Sequence, residues 1–472
     1  MQWAVSAAAL ALLGGCALAP APQPAAAPDR YPDYSDRDAG APSAATIGWR
    51  DFFREPELQA LITRALASNQ DLRAAAARIA QARAAVRVRG ADLAPQASAS
   101  AGMTKLGLPD NLARLLRDDT LTSYDGIAMA SWEVDLFGRL RNQRAAAFEQ
   151  YLASGEARRA LAASLVAQVA AGYLADREYA ERLALARDTL ANREESLRIL
   201  SRRYAVGSGS KVEVTQAETL RTQALAEIQA TELARAQNRN ALSLLVGGPV
   251  RDADFTRPLD AVGLDQPIPT GLPSDLLVNR PDLVAAEHRL RAASANIRAA
   301  RAAFFPSISL TAAGGTTSRD LDGLFDSGTG VWLFRPSISL PIFTAGKLNA
   351  NLRYTEAQRD ELVAGYDRAV QQAFRDVADA LAQRRWFAEQ IGTVNASIAA
   401  LTERARLARL RYDAGRSAYL EVLDAERDLF SARQKLVQLR RAELASGVAL
   451  YAALGGGAPE SFTDTQAQGR NP

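Results

Sequence analysis

Tyr204, Gly207, Glu213, Val214, Ala217, Glu218, Gly247 and Gly248 recur as Tyr412, Gly415, Glu421, Val422, Ala425, Glu426, Gly455 and Gly456, every pair 208 positions apart (412 − 204 = 208). An earlier block, Asp71, Leu72, Ala75, Arg78, Ala82 and Pro95, returns as Asp282, Leu283, Ala286, Arg289, Ala293 and Pro306, now 211 apart (282 − 71 = 211). An Ala/Arg-rich helical composition would not match Tyr, Pro and Gly in register by accident. Self-similarity at a fixed period signals tandem structural repeats. Length alone would suggest two or three domains. The duplication instead predicts one architecture built from two similar halves.

Charge gives little direction, since 56 Lys and Arg stand against 53 Asp and Glu. The basic residues are mostly Arg, spread through Ala-rich helical stretches, whereas a nucleic-acid footprint would cluster on one face. No nucleic-acid partner is expected. Cys16 is the sole cysteine, which excludes an internal disulfide and a cysteine metal cluster. It follows an apolar run, Ala7 to Leu13, and Gly14-Gly15. That run is too short to span a bilayer and reads as a signal peptide. No Lys or Arg precedes it, a departure from the usual leader that leaves an upstream start open. Leu13-Gly14-Gly15-Cys16 resembles the bacterial lipobox, in which the cysteine becomes the lipidated first residue. Ala17 after the cysteine would favour the outer membrane. Ala17 to Pro42, rich in Pro, Ala and charge, predicts an extended tether. No later apolar run reaches spanning length, so any membrane crossing must use strands.

Each half reads as helix, strand, strand, long helix, long helix. Glu57 to Asp92 is helical by composition. Arg139 to Tyr204 contains no proline and would extend roughly 100 Å at the rise of an α-helix. Leu183, Leu190, Leu197 and Tyr204 fall seven apart, as do Ile391, Ile398, Ala405 and Tyr412, which predicts coiled-coil packing. Gly207 and Gly415 then end the helices in the left-handed conformation. Ser210 stands three before Glu213, the capping-box spacing. Ala418 replaces that serine in the second copy, and Ser417 is the expected substitute cap.

The strands alternate. Ala128, Ala130, Trp132, Val134 and Leu136 interleave with Ser131, Glu133 and Asp135; Ile308 and Leu310 interleave with Ser and Thr between Ser307 and Thr311. Trp332, Phe334, Ile338, Leu340 and Ile342 interleave with Leu333, Arg335, Ser337, Ser339 and Pro341. A half-buried soluble sheet shows this pattern, and so does a membrane barrel. Four strands per chain cannot close a barrel, because small filled barrels need about eight. Open edges are not tolerated in lipid. Two, three or four copies must therefore pool their strands.

Arg280-Pro281-Asp282-Leu283 with Ala286-Glu287, then Phe305-Pro306-Ser307, Pro341-Ile342-Phe343 and Gly346, resemble the outer membrane factors. Trp132, Asp135, Leu136, Phe137, Gly138 and Arg139 match the first-half motif, so the likeness covers nearly the whole mature chain. More narrowly it is similar to the NodT-type lipoprotein branch of the TolC-like efflux channels. The resemblance implies a mainly α fold with a membrane β portion: a homotrimer whose twelve-stranded barrel continues into an α-helical barrel. The implied organisation is a signal peptide at 1–15, a lipidated tether at 16–50 and a first repeat at 51–248. In that repeat strands lie near 95–107 and 124–137, with a hairpin tip near 207. A connector at 249–272 leads to a second repeat at 273–457, with strands near 306–318 and 330–343 and a tip near 415. A tail follows at 458–472.

The implied function is the outer membrane channel of a tripartite efflux system exporting small toxic compounds. Its partners are a periplasmic adaptor, an inner-membrane transporter of the RND or related type, and outer membrane lipid. Family tips that meet the adaptor carry over to Gly207, Ser208, Lys211 and Val212, and to Gly415, Arg416 and Tyr419. The family's periplasmic constriction carries over to Leu420 and Asp424, with Glu421 nearby. Three Asp424 carboxylates in one ring would repel, which raises their pKa or recruits a cation. The alternative for Asp424 is an ordinary ion pair with Arg427 or Arg416.

Enzymatic readings fail on inventory. His288 is the only histidine and lies on a helix with no nucleophile pattern. Gly207-Ser208-Gly209-Ser210-Lys211 lacks the Ser or Thr and the earlier glycine of a phosphate loop, and Ala345-Gly346-Lys347 fails the same test. No cofactor or metal is expected. Two other functions stay open: a duct for protein secretion, and a lipid-anchored coiled-coil scaffold without a pore. The scaffold would not need amphipathic strand pairs. The cargo is not legible in the sequence.

Overall fold

The computed structural model describes residues 47–111, 114, 119–263, 268 and 275–456. In chain order the elements are α1 (Trp49–Phe52), α2 (Pro56–Ser68), α3 (Gln70–Ala91), β1 (Gln96–Gly107), β2 (Thr120–Val134), α4 (Arg139–Ala205) and α5 (Lys211–Leu245). There follow α6 (Asp275–Asn279), α7 (Pro281–Ala302), β3 (Ser307–Ser318), β4 (Gly330–Ser339), α8 (Lys347–Asp413) and α9 (Tyr419–Ala453). The duplication holds to the residue in the helices that flank the strands and form the hairpins. α4 and α8 each hold 67 residues, and α5 and α9 each hold 35. α3 and α7 both hold 22, and β1 and β3 both hold 12.

Compactness does not follow the repeats. One compact unit gathers Ala77–Gly155 with Ala285–Asp367, and a second gathers Glu156–Val284 with the described parts of Ala25–Ala76 and Arg368–Pro472. Each unit thus draws on both halves, as expected where one repeat cannot bury its apolar face alone.

The first unit contains one antiparallel sheet of order β1-β2-β3-β4. Some predicted boundaries move, for local reasons. The strand expected over 124–137 begins at Thr120 and stops at Val134. It stops there because the Asp135 carboxylate turns back to accept from the backbone N–H groups of Leu140 (3.2 Å) and Arg141 (2.8 Å), capping α4. The strand expected over 330–343 ends at Ser339, leaving Leu340 and Ile342 outside the ladder. Pro341 has no N–H to donate. The helix expected from Glu57 to Asp92 breaks at Asn69, whose Oδ1 caps α3 by accepting from the N–H groups of Asp71 (2.9 Å) and Leu72 (3.1 Å).

The second unit holds the main core. Phe53, Leu58, Leu61, Ile62, Val169, Tyr173, Leu174, Leu242, Phe255, Leu259 and Tyr451 are buried together. Two matching clamps close it. Asn69 Nδ2 donates to the Leu245 carbonyl (3.0 Å) at the end of α5, and Arg280 Nη1 donates to the Ala453 carbonyl (3.0 Å) at the end of α9. Residues 211 apart thus grip carbonyls 208 apart, satisfying helix-end acceptors that have no intrahelical partner. The glycines beside these carbonyls are required: a Cβ on Gly247 would lie 2.8 Å from the Ser68 carbonyl oxygen, and one on Gly455 2.9 Å from that of Asn279.

Candidate functional site

Cross-strand register makes the sheet two-faced. Directly opposed residues share a face. The pairings Ala97↔Ala130, Ala99↔Ala128 and Met103↔Tyr124 continue through Trp132↔Leu310 and Val134↔Ile308 to Ile308↔Ile338, Ala312↔Phe334 and Gly314↔Trp332. Those side chains form one apolar band across all four strands. The opposite face carries Ser98, Ser100, Thr104, Ser123, Asp125, Ser131, Glu133, Ser309, Thr311, Thr317, Arg335 and Ser337, in the same register, with Ile127, Met129, Val331 and Leu333 interspersed among them. Polar pairs link it: Ser123 with Thr317 at 3.1 Å and Ser309 with Ser337 at 2.7 Å. Trp332 is 81% exposed and Ile338 73%. β1 and β4 are the outer strands, each with one edge unpaired among the described residues. An exposed apolar band beside two open edges is an aggregation hazard in water. In lipid the band is solvated, and the edges demand closure by further copies. No helix among the described residues is long and apolar enough to cross a membrane.

At one end of the sheet the first-half motif explains itself. Arg139 pairs with Glu133 at 2.7 Å, Gly138 takes φ +78°, and Phe137 stacks on Phe305 with centroids 4.9 Å apart. Trp132 Nε1 donates to the Leu93 carbonyl at 2.9 Å. His288 is a packed helix residue whose Nδ1 lies 2.7 Å from Glu149 Oε2.

The hairpin tips lie in the second unit. Both end their first helix in the same turn: Gly207 N–H donates to Tyr204 and Ser208 N–H to Arg203, as Gly415 donates to Tyr412 and Arg416 to Arg411. Those paired bonds with φ of +75° and +67° at the glycines satisfy the last carbonyls, a conformation in which a side chain would be strained. The next helix starts differently in the two copies. Ser210 and Glu213 form the expected capping box, with Ser210 Oγ accepting from Val212 N–H (3.1 Å) and Glu213 accepting from Ser210 N–H (3.2 Å). Ala418 occupies the second cap position and no side chain caps α9. The expected Ser417 cap does not form; its Oγ is buried without a partner.

Gly207, Ser208, Lys211 and Val212, and Gly415 and Arg416, are exposed on their turns. Tyr419 is the correction. It is 3% exposed, donates to Ser196 Oγ at 2.6 Å, and belongs to a core with Leu200, Val214, Ala217, Ala408, Val422, Leu423 and Ala425. Its large ring stabilises the tip from within, which removes it from any contact surface. Arg203 joins the same junction, donating to the Tyr412 hydroxyl, and the Tyr412 and Tyr419 rings meet edge-on at 4.7 Å. Leu420 is 42% exposed, Glu421 pairs with Arg411 at 3.2 Å, and Asp424 pairs with Arg427 at 3.2 Å. Within one chain, then, Asp424 makes the ordinary ion pair. Cys16 lies outside the described residues.

Sequence reasoning missed a buried charge cluster beside the core. Asp176, fully buried, accepts from Arg177, from Arg235 (3.1 Å) and from Arg239 (2.7 Å). Burial pushes its carboxyl up, but hydrogen bonds from Arg239, Arg235 and Arg177 outweigh that and hold it below the usual carboxylate range. In sequence Asp176-Arg177-Glu178 looks like any solvated helix face. No local signal distinguishes it.

A two-faced antiparallel sheet open at both edges, each of its strand pairs followed by a 67-residue helix, defines an outer membrane channel subunit. A family model described as "Outer membrane efflux protein" matches residues 61–248 and again 272–456, and the chain belongs to that family. The family therefore repeats where the sequence does. The chain is 45% identical to the probable efflux pump outer membrane protein SepC of Pseudomonas putida, over 94% of this chain and 95% of that protein. Identity and coverage are the same with the toluene efflux pump outer membrane protein TtgF, from another strain of Pseudomonas putida. Among solved structures, the open state of the Neisseria gonorrhoeae MtrE outer membrane channel superposes with a TM-score of 0.82 at 39% identity, covering 92% of this chain and 98% of that one. The chain is thus an outer membrane component of an efflux pump, a channel protein by family.

Proposed function

We propose that three copies of this chain pool their sheets into one twelve-stranded barrel and act as the exit duct of a tripartite efflux system. The observation that carries this is the register-matched pair of faces, one apolar and one polar, on a sheet whose edges are open. Curvature about the polar face gives a water-filled lumen, with the apolar band toward lipid. Eight strands would close a barrel barely wide enough to hold side chains, whereas more strands leave an aqueous passage. The duct serves a periplasmic adaptor and an inner-membrane transporter and performs no chemistry on its cargo. The exposed turn residues Gly207, Ser208, Lys211, Val212, Gly415 and Arg416 form the adaptor contacts. Small toxic organic compounds are the cargo class, and aromatic solvents such as toluene are the first to test.

Cys16 is the lipidated anchor in this reading, and Cys16→Ala should abolish incorporation of labelled palmitate. Leu420, Glu421 and Asp424 form the constriction. Assembly would bring Asp424 carboxylates together, which favours cations in the pore. Asp424→Ala should loosen the closed state, and unchanged conductance and drug sensitivity in that variant would remove the residue from the gate. For the whole proposal, the protein purified from membranes in detergent should run as a heat-modifiable trimer and give discrete conductance steps in planar bilayers. A monomer that stays soluble without detergent and conducts nothing would overturn it.

A further inference from the structure

Within one chain the second repeat lies against the first through α9 and α4. Arg441 on α9 donates to Glu178 on α4 at 2.9 Å. Val448 is buried in one core with Leu165, Val166 and Val169 of α4, and Ala445 packs on that core. Ala163, Ala167 and Ala171 of α4 line one cavity with Ala445, Val448 and Ala452 of α9. Positions 441, 445, 448 and 452 recur at helical spacing, so they form the face that α9 turns to α4.

Going back 208 positions carries that face onto α5 (441 − 208 = 233), where it reads Leu233, Gln237, Asn240 and Leu244. None of the four is charged and all are exposed, Leu233 by 60% and Leu244 by 78%. Going forward 208 positions carries α4 onto α8 (178 + 208 = 386). Glu178, 5% exposed, becomes Trp386, 51% exposed even with the Arg385 guanidinium 5.3 Å over its ring. Ala163, Ala167 and Ala171 become Gln371, Arg375 and Asp379, all exposed. The duplication thus supplies both sides of a second junction of the α9–α4 kind, and a single chain leaves both in the open. Where the junction inside the chain has an ion pair, the unmade one has a leucine and a tryptophan.

We propose that α5 of one copy packs on α8 of the next, with Leu233 of the first covering Trp386 of the second. The contact rests on the trimer proposed above and names the helices that close it. It joins two different faces, so it runs head to tail and closes a ring when every copy offers its α5 and receives on its α8. The sheet makes the same demand, since its open edges, β1 and β4, are also different. The change of chemistry fits the change of task. Arg441 and Glu178 are held near each other by their own chain, whereas separate copies must be drawn together. Burying leucine against tryptophan removes apolar surface from water and requires no hydrogen-bond geometry. Beside that pair, Gln237 and Asn240 meet Gln371, Arg375 and Asp379, polar groups that can satisfy one another at the rim.

The test uses the full chain in detergent. Leu233→Arg and Trp386→Glu, each alone, place an unpaired charge in the contact and should lower the fraction of trimer surviving in dodecyl sulfate at a fixed temperature by roughly tenfold. Combined, they rebuild across copies the Arg441–Glu178 pair and should recover most of that loss. Single variants as resistant as the wild type would overturn the proposal, and so would a double variant no better than the weaker single. As a direct check, Leu233→Cys with Trp386→Cys, treated with a short bismaleimide, should give covalent dimers and trimers whose linked peptide joins positions 233 and 386. A link confined to single chains would place α5 against its own α8 and overturn the contact between copies. A conducting trimer that yields no such link would do the same while leaving the exit-duct reading intact. A wild-type protein that never forms trimers would sink that reading, and this contact with it.

Discussion

The first hairpin closes on its own side chains, Ser210 accepting from the Val212 N–H and Glu213 from the Ser210 N–H, whereas the second closes on its neighbour. Ala418 offers no cap, and the residues that fix α9 are Tyr419, reaching Ser196 on α4, and Tyr412, meeting Arg203. Backbones that match turn for turn are thus held by different means. Duplication preserved the glycines, which dictate conformation, and released the caps, which do not. The hairpin that leans on its partner can be freed by breaking a few contacts, and it is the one that carries Leu420, Glu421 and Asp424. An autonomous hairpin would make a frame and a dependent one a moving part.

The largest test of that asymmetry lies away from the tips, at Asp176. α4 buries this carboxylate among three arginines, where the equivalent position in α8 is Arg384. Asp176→Ala leaves those guanidiniums without their shared partner and should cost about 3–5 kcal/mol of stability. A denaturant series on the detergent-extracted protein would read it, and a loss below about 1 kcal/mol would remove the cluster as the first repeat's anchor. Next in size is Tyr419→Phe. Losing the hydroxyl strands Ser196, itself 7% exposed, at about 1–2 kcal/mol, so open probability in planar bilayers should rise by about tenfold. Tyr204→Phe, at the exposed tyrosine of the first tip, should change little. Equal effects from both would erase the distinction between frame and moving part.

Capping offers a finer probe. Ser210→Ala should cost about 1 kcal/mol and speed amide exchange in the first turn of α5, while Ala418→Asp should slow it in the first turn of α9 by a comparable step. Failure of Ala418→Asp to slow exchange would mean that Tyr419 already fixes that turn.

What the sequence made legible follows from how locally each feature is encoded. The helix-ending glycines and the capping box depend on neighbours within a few positions, and the 208-residue offset needs only a comparison of the sequence with itself; all are found in the structure. Strand alternation gave the two faces, but Asp135 and Pro341 set the ends through a cap and a missing N–H, which periodicity does not register. The site is less legible. Tyr419 sits where a family contact would fall, yet burial of its ring depends on Leu200 and Ser196, more than two hundred positions away. Asp176 is hidden for the same reason: its partners Arg235 and Arg239 stand 59 and 63 positions away on α5, beyond the reach of any local pattern.

Glu426 gives the smallest and most specific prediction. Its counterpart Glu218 is exposed on α5, but Glu426 on α9 is half-buried, facing Arg409 of α8 and Arg193 of α4. Burial lifts its carboxyl above the usual range, and those two arginines only partly offset the lift. A carboxyl whose folded pKa is raised penalises the folded tip when ionised; the penalty is present above that pKa and relieved as pH falls through it toward the unfolded value of 4.5. Both arginines stay charged throughout, so Glu426 alone supplies the change among these three. Acidification should therefore tighten the second tip, slowing amide exchange over 419–430 once intrinsic exchange rates are divided out. Glu426→Gln should remove that slope and hold the tip near its acidic rate at neutral pH, leaving the first tip as it was. A Glu426→Gln variant that keeps the wild-type slope would place the proton on another group and return the two tips to parity in their response to pH.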